Sequence, residues 1–415
     1  MIMSKIKFHK IMMVAYAFCV TSYANANAVS TINDHLKSSM RAFIQKNHIA
    51  GAVVSYQFQN QKQTTLSFGY QNVEKKIPMS AESYFPIGSI TKAFLSVQIM
   101  RAAAQHNISM QETLLQVAKK CPGRDDALLK LVKRYPHLGV ITLRQYLTHT
   151  SGVGKSINSD FFINEYNQHP MGYWNSEQLI AIAMHYPPYF SPGTTGLYSY
   201  TNTDYEVMSV VLEALTKKTL YQNMTAFFHQ VGLKDICYTL PRGKNLSSSV
   251  NNAMAEAYVL QESIYFHLPM FQSIKPIAFP EGEFAKNITP YSINFSAIAA
   301  ASGGIIAQPK TLVQWYWTLF HGDVVTPTML SQMLNGVPTG TSTKRYGLGI
   351  VIQTSQRYGV IYGHSGITYG YASNVVYVPK YHVVFAVAVN TSTQNPDALI
   401  NTMVMQVLSQ LVHPT

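Results

Sequence analysis

The chain has 415 residues, 47% of them hydrophobic and only 12% charged, a folded composition that excludes intrinsic disorder and allows one large domain or two smaller ones. The net charge is +12, yet no dense Lys/Arg run with interleaved aromatics occurs, which argues against a nucleic-acid ligand. With 27 tyrosines and so few charges, the polar surface falls largely to Ser, Thr, Asn, Gln and Tyr.

Residues 1–28 have the pattern of an export signal peptide. Lys5, Lys7 and Lys10 precede an apolar run from Ile11 to Val20, and small residues at Ala24, Ala26 and Ala28 offer cleavage sites. The run is shorter than the roughly 20 residues a spanning helix needs, so cleavage and release to the periplasm or exterior are expected, with no transmembrane segment left. Phe18 stands before Cys19, where a lipoprotein signal requires a small residue. No acid falls in this segment, so the remainder carries +9, a charge suited to an anionic wall or membrane surface or simply a basic exterior. Cys121 and Cys237 remain. Their spacing fits no metal site, and either a disulfide or two thiols is compatible with it.

Apolar positions at Ile32, Leu36, Met40, Phe43 and Ile44 predict a helix, and the runs Ala52 to Phe58 and Thr64 to Tyr70 predict a β-hairpin. Ser89 and Lys92 follow in the stretch Tyr84 to Phe94, with Gly88 before the serine and an apolar helical pattern after it. On a helix starting at Ser89, the i, i+3 spacing puts amine and hydroxyl on one face, and a serine nucleophile needs such a base. The pattern alone is weak, because Ser4 and Lys7 share it.

From about 93 to 285 the periodicity is mostly helical, with helices predicted near 143–147, 177–184, 205–215 and 220–231. Residues 119–139 look like an insertion, and 260–292 lack clear periodicity. Helices near 312–320 and 327–333 then lead into strands predicted at Gly347 to Ile352, Tyr358 to Tyr362, Ala372 to Val378 and His382 to Val389, before a closing helix at 398–411. Strands at both ends with helices between imply one sheet shared by the two ends. No His-Glu-x-x-His or comparable cluster suggests a metal, and no cofactor motif occurs.

Three further stretches complement Ser89 and Lys92. They are Ile141 to Val153, containing His149; Pro192 and Gly193 followed by Tyr198, Ser199, Tyr200, Thr201 and Asn202; and Tyr362, Gly363, His364, Ser365 and Gly366 between two strands. With His48 to Gly51, Gly303 and Gly304, and Tyr346 to Gly349 in the same order, they resemble the serine β-lactamase and D-alanyl-D-alanine carboxypeptidase superfamily, in its class C-like branch. The resemblance spans nearly the whole chain after residue 28. It implies an α+β fold: a β-lactamase/transpeptidase-like antiparallel sheet flanked by helices, with an inserted, mostly helical domain. Residues 29–92 and 293–415 would form the sheet domain, 93–292 the helical one, and the site would lie between them.

The resemblance also implies chemistry. Ser89 would form an acyl-enzyme, with Lys92 as base, Tyr200 completing the proton relay and Asn202 holding the substrate amide. His364, Ser365 and Gly366 would bind substrate, and backbone N–H groups of Ser89 and Ile367, the latter on an edge strand, would make the oxyanion hole. Tyr198 competes with Tyr200 for the relay, because it stands at the family's usual distance from Pro192 and Gly193. His149 is expected to hold a turn near the cleft. His364 replaces the lysine of class C β-lactamases; an imidazole only partly charged near neutrality would attract a carboxylate best below about pH 6.5. The expected function is an exported serine acyl hydrolase, first a D-alanyl-D-alanine carboxypeptidase or D-amino-acid peptidase acting on wall peptides. A class C-like β-lactamase, an esterase, or a penicillin-binding sensor without turnover are the alternatives.

Overall fold

The computed structural model describes residues 30–121, 127–157, 159–279, 282–322 and 324–413. The export segment with Cys19, and residues 122–126 of the expected insertion, lie outside these.

A nine-stranded antiparallel sheet organises the molecule. Its strand order is Val337–Pro338, Lys344–Tyr346, Val351–Ser355, Gly359–Thr368, Tyr371–Val378, Val383–Val389, Gly51–Phe58, Thr64–Asn72 and Ile77–Pro78. The two ends of the chain meet at its centre, where Ala52 opposes Val389 and Phe58 opposes Val383. Val383–Val389 is apolar at every position and fully buried, because both of its faces are covered. Val383, Phe385, Val387 and Val389 join Leu36, Met40, Ile400, Met403 and Val407 of the two terminal helices in one core. Val384 and Ala386 point the other way, into a larger core with Phe94, Leu95, Trp315 and Val211. Burial of such side chains supplies about 1.5–3 kcal/mol each.

The helix Thr91–Gln105 is buried at twelve of its fifteen positions, and Phe94 stacks on Trp315 with ring centroids 4.4 Å apart. An apolar pattern all round the helix, which gives a weak amphipathic signature, is what such complete enclosure requires. Asn202–Thr216 packs against it and is buried at eleven of fifteen positions. Among the described residues no helix is long and apolar enough to cross a membrane.

The structure departs from expectation in detail. Gly347 to Ile350 is a turn rather than strand, with Gly349 at φ +75°, and the strand begins at Val351. A Cβ on Gly349 would press on the Lys92 carbonyl and Ser96 Oγ, so the turn is seated on the helix that carries Lys92. Residues 260–292 are not featureless: a second small sheet runs in the order Thr391–Ser392, Tyr258–Leu260, Phe284–Asn287 and Ile277–Ala278. These strands are two to four residues long, too short for alternation to register. Cys237 is a free thiol, so it forms no bridge to Cys121; burial pushes its pKa to about 12.

Candidate active site

Ser89 lies in the 3-10 turn Gly88–Ile90 that runs into the helix Thr91–Gln105, and Lys92 sits one turn on. Gly88 adopts φ +50°, a conformation a side chain resists, and a Cβ there would crowd the Ile367 nitrogen at 2.9 Å. Gly366 is equally constrained, since its Cβ would overlap the Ile87 carbonyl oxygen. The turn that carries Ser89 thus docks backbone to backbone on residues 366–367, next to the Ile367 amide. Gly359–Thr368 is an interior strand of the sheet rather than an edge strand. Its pairing with Val351–Ser355 ends at Val351 opposite Gly363, however, so His364 to Thr368 form a local free edge.

Lys92 is fully buried, and its Nζ lies 3.0 Å from Ser89 Oγ, 2.8 Å from Asn202 Oδ1 and 3.1 Å from the Ser302 carbonyl oxygen. Burial lowers its pKa to about 7, against the opposing pull of Glu206 and Asp204. Asn202 Oδ1 and the Ser302 carbonyl can only accept, so two N–H groups of a neutral amine point at them. The remaining lone pair then faces the Ser89 hydroxyl. Asn202 is free for this because Thr201, not Asn202, caps its helix, accepting from the Thr203 N–H.

Tyr200 is the tyrosine at the reacting groups. Lys92 Nζ lies 4.9 Å from its ring centroid. Its hydroxyl is buried and faces Ser89, which offsets part of the upward push of burial on its pKa, yet it closes no hydrogen bond of normal geometry. Catalytic contacts of this kind are often loose without substrate. Tyr198 lines the outer cleft and packs edge-on to His149, with centroids 6.0 Å apart.

His364 corrects the charge expected for it. Its Nδ1 donates to the Ser365 carbonyl at 2.6 Å, and its Nε2 accepts from the Tyr346 hydroxyl at 2.9 Å, so both nitrogens are committed to the neutral ring. Burial, reinforced by Lys92, lowers its pKa to about 3. It carries no charge near neutrality or at pH 6, and it serves as a neutral strut.

Behind Tyr200 lies a buried network that the sequence signalled only at His149. His149 adopts φ +58°, and its ring packs at a tilt against Tyr200 and Tyr346, with centroids 4.3 Å and 4.8 Å away. Its carbonyl accepts from the Ser199 N–H at 3.0 Å, and Nδ1 lies 2.9 Å from Asp204 Oδ2 and 3.4 Å from the Thr201 nitrogen. The Thr201 N–H requires a lone pair on Nδ1, which places the shared proton on Asp204. Burial drives both groups the same way, raising Asp204 well above the carboxylate range and lowering His149 well below its usual value. Ser151 Oγ donates to the other Asp204 oxygen at 2.5 Å. Glu206 is buried as well, its pKa raised to about 8 mainly by burial, with Ser176 Oγ donating to it at 2.6 Å. Asp204 and Glu206 went unflagged in the sequence; their one signal was two acids just after Asn202, ahead of the mostly apolar run Val207 to Leu212.

The cleft encloses about 470 Å³. Ser89, Tyr200 and Asn202 line it together with Tyr265, Phe295 and Tyr369 and with Lys344, His364, Ser365 and Asp397. Tyr369 packs on Phe295 at 4.5 Å and on Tyr265 at 5.0 Å, making an aromatic wall just beyond Thr368. No group of three or more metal-ligating side chains occurs among the described residues.

The sequence model described as Beta-lactamase matches residues 36–409. Protein flp of Staphylococcus aureus (strain MW2) is 24% identical over 189 residues, 44% of this chain and 33% of its own length. Penicillin-binding protein 4* of Bacillus subtilis (strain 168) is 23% identical over 314 residues, 75% of this chain and 61% of its own. The chain thus matches a third to three fifths of these curated relatives. D-amino acid amidase from Ochrobactrum anthropi SV3, complexed with D-phenylalanine, has a TM-score of 0.73 at 16% identity, covering 92% of this chain and 98% of its own. A penicillin-binding protein from Bacillus halodurans has a TM-score of 0.66 at 18% identity, covering 88% and 98%. Identities this low speak to the fold alone.

Proposed function

This chain belongs to the Beta-lactamase family, and on that premise we propose that it is an exported serine acyl hydrolase of the D-alanyl-D-alanine carboxypeptidase or D-amino-acid amidase kind. The observation that carries the reading is the threefold contact of buried Lys92 with Ser89, Asn202 and the Ser302 carbonyl. On this reading residues 29–92 and 293–415 are the sheet part, residues 93–292 the helical part, and the cleft works between them.

In this mechanism neutral Lys92 takes the Ser89 proton as Oγ attacks the substrate carbonyl carbon. The oxyanion accepts from the Ser89 and Ile367 N–H groups. Tyr200 remains a phenol, because burial raises its pKa; it relays a proton and is not itself the base. As the tetrahedral centre collapses, the C–N bond breaks and the leaving amine takes the Tyr200 proton, which Lys92 replaces. Water then attacks the ester by the same route in reverse, releasing the acid and restoring Ser89. Asn202 holds the amide on the acyl side, and the aromatic wall of Tyr265, Phe295 and Tyr369 favours an apolar or aromatic acyl group.

A neutral His364 removes the charge by which a lysine there would draw a substrate carboxylate, so amides, which lack one, rank ahead of β-lactams. Incubation of mature protein with a fluorescent penicillin, followed by mass spectrometry, is expected to label Ser89. Rates on a D-alanyl-D-alanine peptide, a D-phenylalanine amide, a chromogenic cephalosporin and a p-nitrophenyl ester then rank the activities. No adduct on Ser89 from any of them overturns the reading.

A further inference from the structure

The cleft continues beyond Ser365. A second cavity of about 420 Å³ lies between the sheet and the helix Pro396–Val412, and it shares Lys344, Val351, His364, Ser365 and Asp397 with the first. Gly363 lines it, at the point where the pairing of Val351–Ser355 ends. Its floor is Asn374, which opposes Ser365 in the strand register.

Asn374 is only 6% exposed and its Oδ1 has no hydrogen-bond partner. Nearby positions on the same face, Ala372, Val376 and Val387, belong to an apolar core. An amide oxygen left bare in such surroundings is costly, and a donor entering the cavity removes the cost.

Lys344 and Asp397 stand at the passage between the two cavities. Lys344 draws the Asp397 pKa down against the upward push of burial, but the two form no ion pair. The first turn of a helix suits an aspartate. That preference gives no reason for its carboxylate to line a cavity with a lysine across from it. His364, the other basic side chain at this end, has both nitrogens engaged.

We propose that this passage binds a zwitterionic amino-acid unit, its carboxylate on Lys344, its ammonium on Asp397 and a further N–H on Asn374. The residue on the leaving side of the scissile bond is then one with a free carboxylate and a second, free amine: a diamino acid. Which side of the bond it occupies rests on the acyl-hydrolase reading; the binding itself does not.

The test is calorimetric, on the full chain carrying Ser89→Ala so that binding is read without turnover. The probes are N-acetyl-D-alanyl-D-lysine, its Nε-acetyl derivative, its C-terminal amide and the doubly blocked form. The free dipeptide is expected to bind tightest, each block weakening it about tenfold. Adding Asp397→Asn abolishes the penalty of the Nε-acetyl block alone, Lys344→Met that of the amide alone, and Asn374→Val weakens all four. Equal affinity for the four peptides, binding of none, or penalties that persist in the variants overturns the proposal. Hydrolysis by the unsubstituted chain judges the enzyme reading separately: the binding pattern without any turnover or Ser89 adduct sinks that reading and leaves the subsite standing.

Discussion

The Tyr346 hydroxyl lies 2.9 Å from His364 Nε2, where it can donate to the neutral ring that burial and Lys92 favour. Tyr346→Phe removes the donor that favours the uncharged ring, so the His364 pKa is expected to rise from about 3. Burial and the Lys92 field remain, so it stays below the ordinary value of 6.5. An NMR titration of the imidazole Cε1–H checks this; an unmoved titration means the hydroxyl plays no part.

A Lys92 pKa of about 7 sets the acid limb of acylation. The base is neutral above that value and protonated below it, so the second-order rate of labelling by a fluorescent penicillin is expected to climb through about pH 7 and level off. A limb near pH 10 instead means that the amine is held as an ammonium. Lys92→Arg, which cannot lose its proton, is expected to slow labelling by about 10²–10⁴-fold.

The two tyrosines separate cleanly. Tyr200→Phe removes a hydroxyl that has no partner, so the melting temperature holds or rises slightly while acylation falls by about 10²-fold or more. Tyr198→Phe is expected to retain most of the rate. The reverse ranking assigns the relay to Tyr198.

For Asp204, the placement of the proton makes an isosteric prediction. A carboxamide in its place would donate to His149 Nδ1 and accept from Ser151 much as a protonated acid does. Asp204→Asn is therefore expected to cost about 1 kcal/mol or less, and Asp204→Ala about 2–4 kcal/mol through two orphaned polar groups. Urea melts of the two variants decide it; equal losses point to an ionised aspartate.

Gly366→Ala drives a methyl against the Ile87 carbonyl and must part the nucleophile turn from the strand. Displacement by about 1 Å at an oxyanion site costs roughly 10²-fold. Labelling of Ser89 at the unaltered rate refutes this docking of turn on strand.

Much of the scaffold was legible in the sequence because it rests on long periodic segments. Val383–Val389 and Leu220–Gln230 lie within a residue or so of where their patterns place them. Ser89, Lys92, Tyr200, Asn202 and His364 were visible as motifs, and the fold gathers them around one cleft. What could not be read was the state of each group. The charge of His364 depends on its burial and on Lys92, which lies far away in the chain. Asp204 is an ordinary acid in sequence, and only its complete burial drives it toward the protonated form, against the Ser151 hydrogen bond and the Lys92 charge. The aromatic wall draws Tyr265 from a stretch with no period, and its role arises from packing on Tyr369.

The central pairing of Gly51–Phe58 with Val383–Val389 also governs when this molecule becomes active during its synthesis. The Ala50 amide waits for a hydroxyl at Thr391, 341 positions later. Ser89 and Lys92 emerge early, but the strand edge that completes their amide pair follows more than 270 residues behind. Contacts so distant along the chain form late and slowly. A ribosome-bound fragment ending before residue 364 therefore carries an unarmed serine, and hydrolytic power arrives only as the last strands close the sheet.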